Sequence, residues 1–369
     1  AGRAGRAYKD KEGYIILSYS NSQKETKSTV KRYIESDLKE VISSLNAYFT
    51  GNSTISIDYN VLKEPNNAPI LNLLQYINHI LNISYDYDIS PKDIAKIRGI
   101  LTDSYLYHSL SKQEGFINAQ RKLNTFVTQY IRHVNENKKE DMAKADELGI
   151  SDISYTKVKS IIGAFIHGLK ENGDHEYKAS EIILRTKNIE RLTEIINIIA
   201  KIPEIKIDML GQGKLDPENI AKLLMGWVNG DKVRDIAKEI KRPGQSDEDA
   251  ISLCNRYLNS QMKSYMPWGI NIYQAVSFDL QTENAQMLPS YIYYGVSSKE
   301  AVIVSKLGVP RFAVDNVLNN LKTEYSSVDI SVANYKEVKA VIEKISSQQL
   351  KIENVSGEII KNIIKNRMK

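Results

Sequence analysis

Only one of the 369 residues, Cys254, is a cysteine. That excludes a disulfide framework and a cysteine-based zinc site, and it suits a reducing cytoplasm. The lone thiol sits in the apolar run Ile251-Ser252-Leu253-Cys254, where a buried small hydrophobe is expected rather than a reactive nucleophile. No apolar stretch approaches the length of a membrane span, and no signal peptide is visible, so no membrane partner is expected. No G-x-x-x-x-G-K-[ST] phosphate loop and no D-E-x-[DH] metal-binding pair occurs anywhere. No repeat of fixed period is found either, which argues against a solenoid. The net charge of +5 is small for this length, so any nucleic-acid site must be a local patch. With 42% hydrophobic residues and mixed charge the chain reads as ordinary globular protein with room for two to four modules.

What is there begins at the first residue. Ala1-Gly2-Arg3-Ala4-Gly5-Arg6 runs through Asp10 and Gly13 into the apolar strand Tyr14-Ile15-Ile16-Leu17. Glycine lets the backbone come close to a bulky anion, and guanidinium forks match phosphate oxygens. The stretch resembles the sixth motif of superfamily 2 helicases, Q-x-x-G-R-x-G-R, and its continuation resembles the Ski-like branch. The resemblance implies that Arg6 is an arginine finger and Arg3 its phosphate-binding companion, with Gly2 and Gly5 shaping the nucleotide site. ATP and Mg2+ would be held mainly by N-terminal helicase domains that carry the motifs missing here. The chain is therefore expected to be the C-terminal part of a larger motor, and alone it is not expected to hydrolyse ATP.

Along the rest of the chain helical patterns dominate. Apolar residues recur at helical spacing from Val30 to Leu45, and the stretch resembles the helix leading Ski-like motors into a winged-helix module. That module takes in Ile70 to Ile77 and a helix signalled by Ser90, Pro91 and Asp93, with Tyr76 and Tyr105 expected in its core. From Ile117 stripes such as Leu123–Ile131, Val158–Leu169 and Leu192–Ile199 describe a bundle. Asp216-Pro217-Glu218 opens a further helix, and Trp227 through Ala237 resembles the W-x-x-G-x-x-x-x-x-I-A element of the Ski-like ratchet domain, Trp227 itself being expected in the core.

Ser246, followed by Asp247, Glu248 and Asp249, caps a long helix. Asn255, Arg256, Asn259 and Lys263 share one polar face of it, chemistry suited to a phosphate or splayed base, although a merely solvated face would look alike. Tyr265-Met266-Pro267-Trp268-Gly269 is expected to end the helix. Trp268 either stacks a base or plugs the bundle.

Ser298 caps the first of two helices joined by Leu307-Gly308-Val309-Pro310, which resembles a helix-hairpin-helix with Arg311 pointing outward at a phosphate; a purely structural hairpin is the alternative. The tail from Tyr335 holds eight Lys/Arg against four Asp/Glu and resembles a basic amphipathic helix pair.

The fold expected is mainly α: the end of a RecA-like α/β domain (1–30), a winged-helix-like module (31–115), a helical ratchet bundle (116–285) and a helix-hairpin-helix-like C-terminal domain (286–369). The resemblance implies the C-terminal portion of an ATP-dependent DNA helicase. Pro267-Trp268-Gly269, Tyr293-Tyr294-Gly295-Val296 and the Leu307–Arg311 turn look most like bacterial anti-phage defence helicases of the Hachiman type, which pair with a nuclease subunit. The reading from another class is a non-motor helical scaffold that docks a protein partner.

Overall fold

The computed structural model describes residues 28, 31, 43–50, 57–59, 62, 67–209, 214–324, 335–352 and 355–367. Gly2, Arg3, Gly5 and Arg6, the strand at Tyr14 and most of the helix expected from Val30 to Leu45 lie outside them.

Two compact units divide the chain: residues 1–53 with 99–123, and residues 54–98 with 124–369. The described residues are mainly helical, with only the isolated bridges Met209–Leu215 and Ile352–Val355. No wing strand occurs among them.

In the smaller unit a short helix α1 (Asn46–Phe49) meets a later one, Tyr105–Glu114, capped by the Ser104 hydroxyl. Buried Asn46 donates its side-chain amide to Ser109 Oγ at 2.8 Å, and Lys122 Nζ is shared between the Phe49 carbonyl and Glu114. Tyr105 is 48% exposed, which corrects its expected place in the core; Leu106 and Leu110 face inward instead.

The larger unit takes in α2 (Ala68–Tyr85) and the first two turns of α3 (Pro91–Thr102). Ser90 and Asp93 cap α3 reciprocally: the Asp93 N–H faces Ser90 Oγ, and the Ser90 N–H donates to Asp93 at 3.1 Å. Tyr76 is 46% exposed, a second correction, because Leu71, Leu74, Ile77 and Leu81 already fill the buried face of α2. With Tyr105–Glu114 as α4, the chain continues through α5 (Phe116–Glu136), α6 (Lys139–Glu147) and α7 (Asp152–Glu171). Asp152 lies at the buried N-terminus of α7, where the helix dipole favours a carboxylate, and it accepts from Tyr130 at 2.8 Å and from His133. Burial beside this carboxylate pushes the Tyr130 phenol well above its ordinary range.

A π-helical turn, Ile182–Thr186, leads to α8 (Ile189–Ile199), followed by α9 (Pro217–Asn229) and α10 (Val233–Glu239). Asp216 caps α9 through the Asn219 N–H at 2.8 Å. Next come α11 (Asp247–Tyr257), a π-helical segment (Leu258–Tyr265), α12 (Met266–Ser277) and α13 (Glu283–Tyr294). The last described helices are α14 (Lys299–Lys306), α15 (Val314–Glu324), α16 (Tyr335–Lys344) and α17 (Gly357–Arg367). One apolar core runs from Ala145 to Ile364 and includes Ile195, Leu224, Cys254, Tyr273 and Val302.

Cys254 is fully buried in this core, and burial pushes its thiol up to about 11, while the charge of Arg311 pulls the other way. Only the thiolate reacts, so Ellman's reagent at pH 8 is expected to find no thiol in the folded protein and a single one in urea. Rapid reaction under native conditions would show that Cys254 does not stay buried in solution.

Candidate nucleic-acid interface

The bundle's longest helical path runs without a break from Asp247 to Ser277. Pro267 does not end it, contrary to the expectation from the sequence. Proline has no N–H to offer the carbonyl four residues back, and its ring crowds that oxygen. The chain accommodates this by adopting a wider π-helical turn immediately before Pro267.

The pattern of faces gives a second reason for that segment. Leu253-Cys254, Tyr257-Leu258 and Gln261-Met262 are buried, while Asn255-Arg256, Asn259-Ser260 and Lys263-Ser264 are exposed. This is a repeat of four. On an α-helix of 3.6 residues per turn a four-residue repeat drifts about 40° around the axis at each step. The wider turn removes that drift, so the polar stripe stays straight above an apolar one. The side chains along it are tied in sequence: Lys263 Nζ donates to Asn259 Oδ1 at 3.1 Å, and Asn259 Nδ2 donates to the Asn255 carbonyl at 3.0 Å. The four expected residues are thus together on one exposed face.

The structure adds a neighbour that the sequence did not suggest. The Tyr257 hydroxyl donates to the Asp208 carbonyl and accepts from the Leu215 N–H at 2.8 Å, fixing the chain on both sides of 210–213 against α11. This brings Lys214 into the electrostatic surroundings of Arg256, with Asp208 pairing the lysine at 2.6 Å. Lys214 lies more than forty positions from Arg256, so no helical spacing could have linked them.

Trp268 takes the plug alternative. Its indole N–H donates to the Leu148 carbonyl at 2.7 Å, and its half-buried ring lies against the core and Gly149. A ring committed in this way is not a free stacking platform, which corrects its assignment to a strand.

Arg311 is corrected more fully. Its guanidinium turns inward, donating from Nε to the Gly295 carbonyl at 2.7 Å and from its terminal nitrogens to Trp227 at 2.7 Å and Asp231 at 3.0 Å. The guanidinium carbon stands 4.1 Å from the centre of the Trp227 ring. These carbonyls belong to the C-terminal ends of α9 and α13, where orphan acceptors and helix dipoles both favour a cation. Burial pushes the arginine down to about 10, against the pull of Asp231 and Asp315, so it remains charged at neutral pH. Trp227, only 8% exposed, donates its indole N–H to the Ile292 carbonyl at 2.8 Å, which agrees with its expected place in the core. Gly295 completes the arrangement with φ of 69°, and a β-carbon there would stand 2.3 Å from the Trp227 ring and 2.6 Å from Arg311 Nε. Val309 is buried, and Leu307 is half-buried.

Among the described residues no group of three or more His, Cys, Asp or Glu could hold a metal ion, and no described residue is assigned to ATP or Mg2+. No helix among them is long and apolar enough to cross a membrane. Comparison with known proteins finds no matching family model, no matching curated protein and no matching solved structure.

Arg311→Met is expected to destabilise the chain by about 2–4 kcal/mol, because three carbonyls at two helix ends lose a charged donor at once. Oligonucleotide affinity is expected to stay unchanged. Urea unfolding measured beside a binding titration separates the two effects, and lost affinity with unchanged stability would restore Arg311 to a phosphate.

Proposed function

We propose that the chain is the C-terminal portion of an ATP-dependent superfamily 2 helicase or translocase of the Ski-like kind, acting on DNA in the cytoplasm. The Gly2–Arg6 pattern supports this from the sequence. The observation that carries it is the straight exposed stripe Asn255-Arg256, Asn259 and Lys263 along the bundle's longest helical path. Two cations alternating with amide side chains meet phosphates and base edges without fixing a sequence, as a translocating strand requires. In this reading the helices after residue 116 form the ratchet bundle and guide the strand. The helices from 286 onward form the C-terminal module, and a nuclease subunit is the protein partner. The finger Arg6 and its companion Arg3 act on ATP held by other domains.

The test is binding of labelled single-stranded DNA by this chain over a salt titration. Affinity is expected to fall steeply with salt, since counterions are released from each contacted phosphate. Replacing Arg256 and Lys263 together by alanine is expected to flatten the log–log slope by about 1.4, two contacts at roughly 0.7 each on single strands. The unfolding midpoint is expected to change little, because exposed charges contribute little to stability. An unaltered slope would remove this face from the interface.

In a protein carrying all the helicase motifs, Arg6→Ala is expected to leave ATP binding in place and slow turnover by about 10³–10⁵. Undiminished turnover at saturating DNA would withdraw the finger assignment.

A further inference from the structure

The far end of the same long helix carries a residue that neither the backbone nor the core requires. Phe278 follows α12 in the left-handed region, φ 59° and ψ 32°, with its N–H donating to the Gln274 carbonyl. Helices end in this way most readily with glycine, since a β-carbon there is strained. Phe278 is nevertheless 79% exposed, so its ring gains almost nothing from packing. A strained, solvent-facing aromatic ring suggests a function.

Its surroundings are basic and aromatic. A groove of about 790 Å3 opens beside Phe278 between α7 and the end of α12, lined by Lys144, Lys159, Lys170, Tyr177 and Lys178 among others. Lys144 and Lys159 are paired with Glu147 and Asp141. Lys170 lies 5.4 Å from the centre of the Tyr177 ring, and no ion pair joins Lys170 or Lys178 to a carboxylate among the described residues. A second groove of about 740 Å3 adjoins the first, sharing Lys178 and Gln281 and continuing past Arg185 and Lys187. Of the carboxylates that line it, Asp279 is buried and accepts from the N–H and hydroxyl of Ser180. Glu181 and Asp231 remain on its rim. Cations therefore line the groove at the exposed ring and continue into the one beside it.

We propose that these adjoining grooves bind a nucleic-acid single strand, one base stacking on Phe278 while Lys170, Lys178, Arg185 and Lys187 follow its phosphates. A flat exposed ring beside spaced cations matches alternating bases and phosphates, and stacking on it is indifferent to base identity. The inference deepens the reading above and rests on it only for the class of ligand. It adds a contact surface on side chains separate from the Arg256–Lys263 stripe.

The test uses the full chain with a labelled oligothymidylate, and the same oligonucleotide carrying 4-thiothymidine for photo-crosslinking. Phe278→Gly is expected to weaken binding about 5- to 150-fold, the range for loss of one stacked base. Its unfolding midpoint is expected to hold or rise, because glycine suits this backbone. Phe278→Tyr is expected to restore binding, and crosslinks are expected on the peptide that contains Phe278. Wild-type affinity in Phe278→Gly with crosslinks confined to the 255–263 face would overturn the groove and leave the helicase reading standing. An effect at Phe278 with none from Arg256 and Lys263 would support the groove and remove the stripe. Absence of binding by the unaltered chain would overturn both. Capture of phosphatidylserine vesicles or an acidic peptide through Phe278, without the oligonucleotide, would overturn the assignment to nucleic acid.

Discussion

The C-terminal half of the larger unit is organised by a charge placed among carbonyls. Arg311 joins the ends of α9 and α13 through three donated hydrogen bonds, lies on the Trp227 ring, and comes so close to Gly295 that no side chain fits there. A buried cation is costly unless hydrogen bonds replace its water. Here two helix C-termini supply those bonds together with the negative ends of two dipoles. The Trp227 indole donates in turn to Ile292, so the same ring that faces the guanidinium also ties α9 to α13. The turn between α14 and α15 is held in place by this contact, which makes its role a structural one.

Such a knot cannot be read from local sequence, and the reason is distance along the chain. The acceptors of Arg311 lie 16, 80 and 84 positions away. An arginine beside a glycine–proline turn looks the same whether it reaches outward or inward, and only the packing of three helices decides. Trp268 is similar, its partner carbonyl being 120 positions distant. By contrast, the helix starts at Ser90, Asp216, Ser246 and Ser298 were legible, because each cap is completed within three residues by its own chain. Tyr76 and Tyr105 misled for a different reason. Tyrosine suits a core or a surface equally well, and here smaller aliphatic neighbours took the inner face.

The polar stripe falls between these cases. Asn255, Arg256, Asn259 and Lys263 could be assigned to one face from i, i+4 spacing alone. The π-helical segment beneath them was not foreseen, although the two-in, two-out repeat from Leu253 to Ser264 was present in the sequence. Reading the repeat as four rather than 3.6, with Pro267 just beyond it, is the signal that would have revealed it. Phe278 carried no local signal, because the strain at that position is a property of its backbone rather than of its neighbours in sequence.

That segment also affects how the chain can be compared with others. A π-helical stretch uses up residues without lengthening the rod, and in effect accommodates an insertion that an ordinary helix lacks. Loss of one residue between Leu258 and Tyr265 would return the segment to regular winding and leave the helix beyond it presenting the same face. Both sequences would look helical, and an alignment without the gap would pair residues one position apart, about 100° around the axis from each other. A codon can thus be gained or lost at this point without redirecting the side chains beyond it.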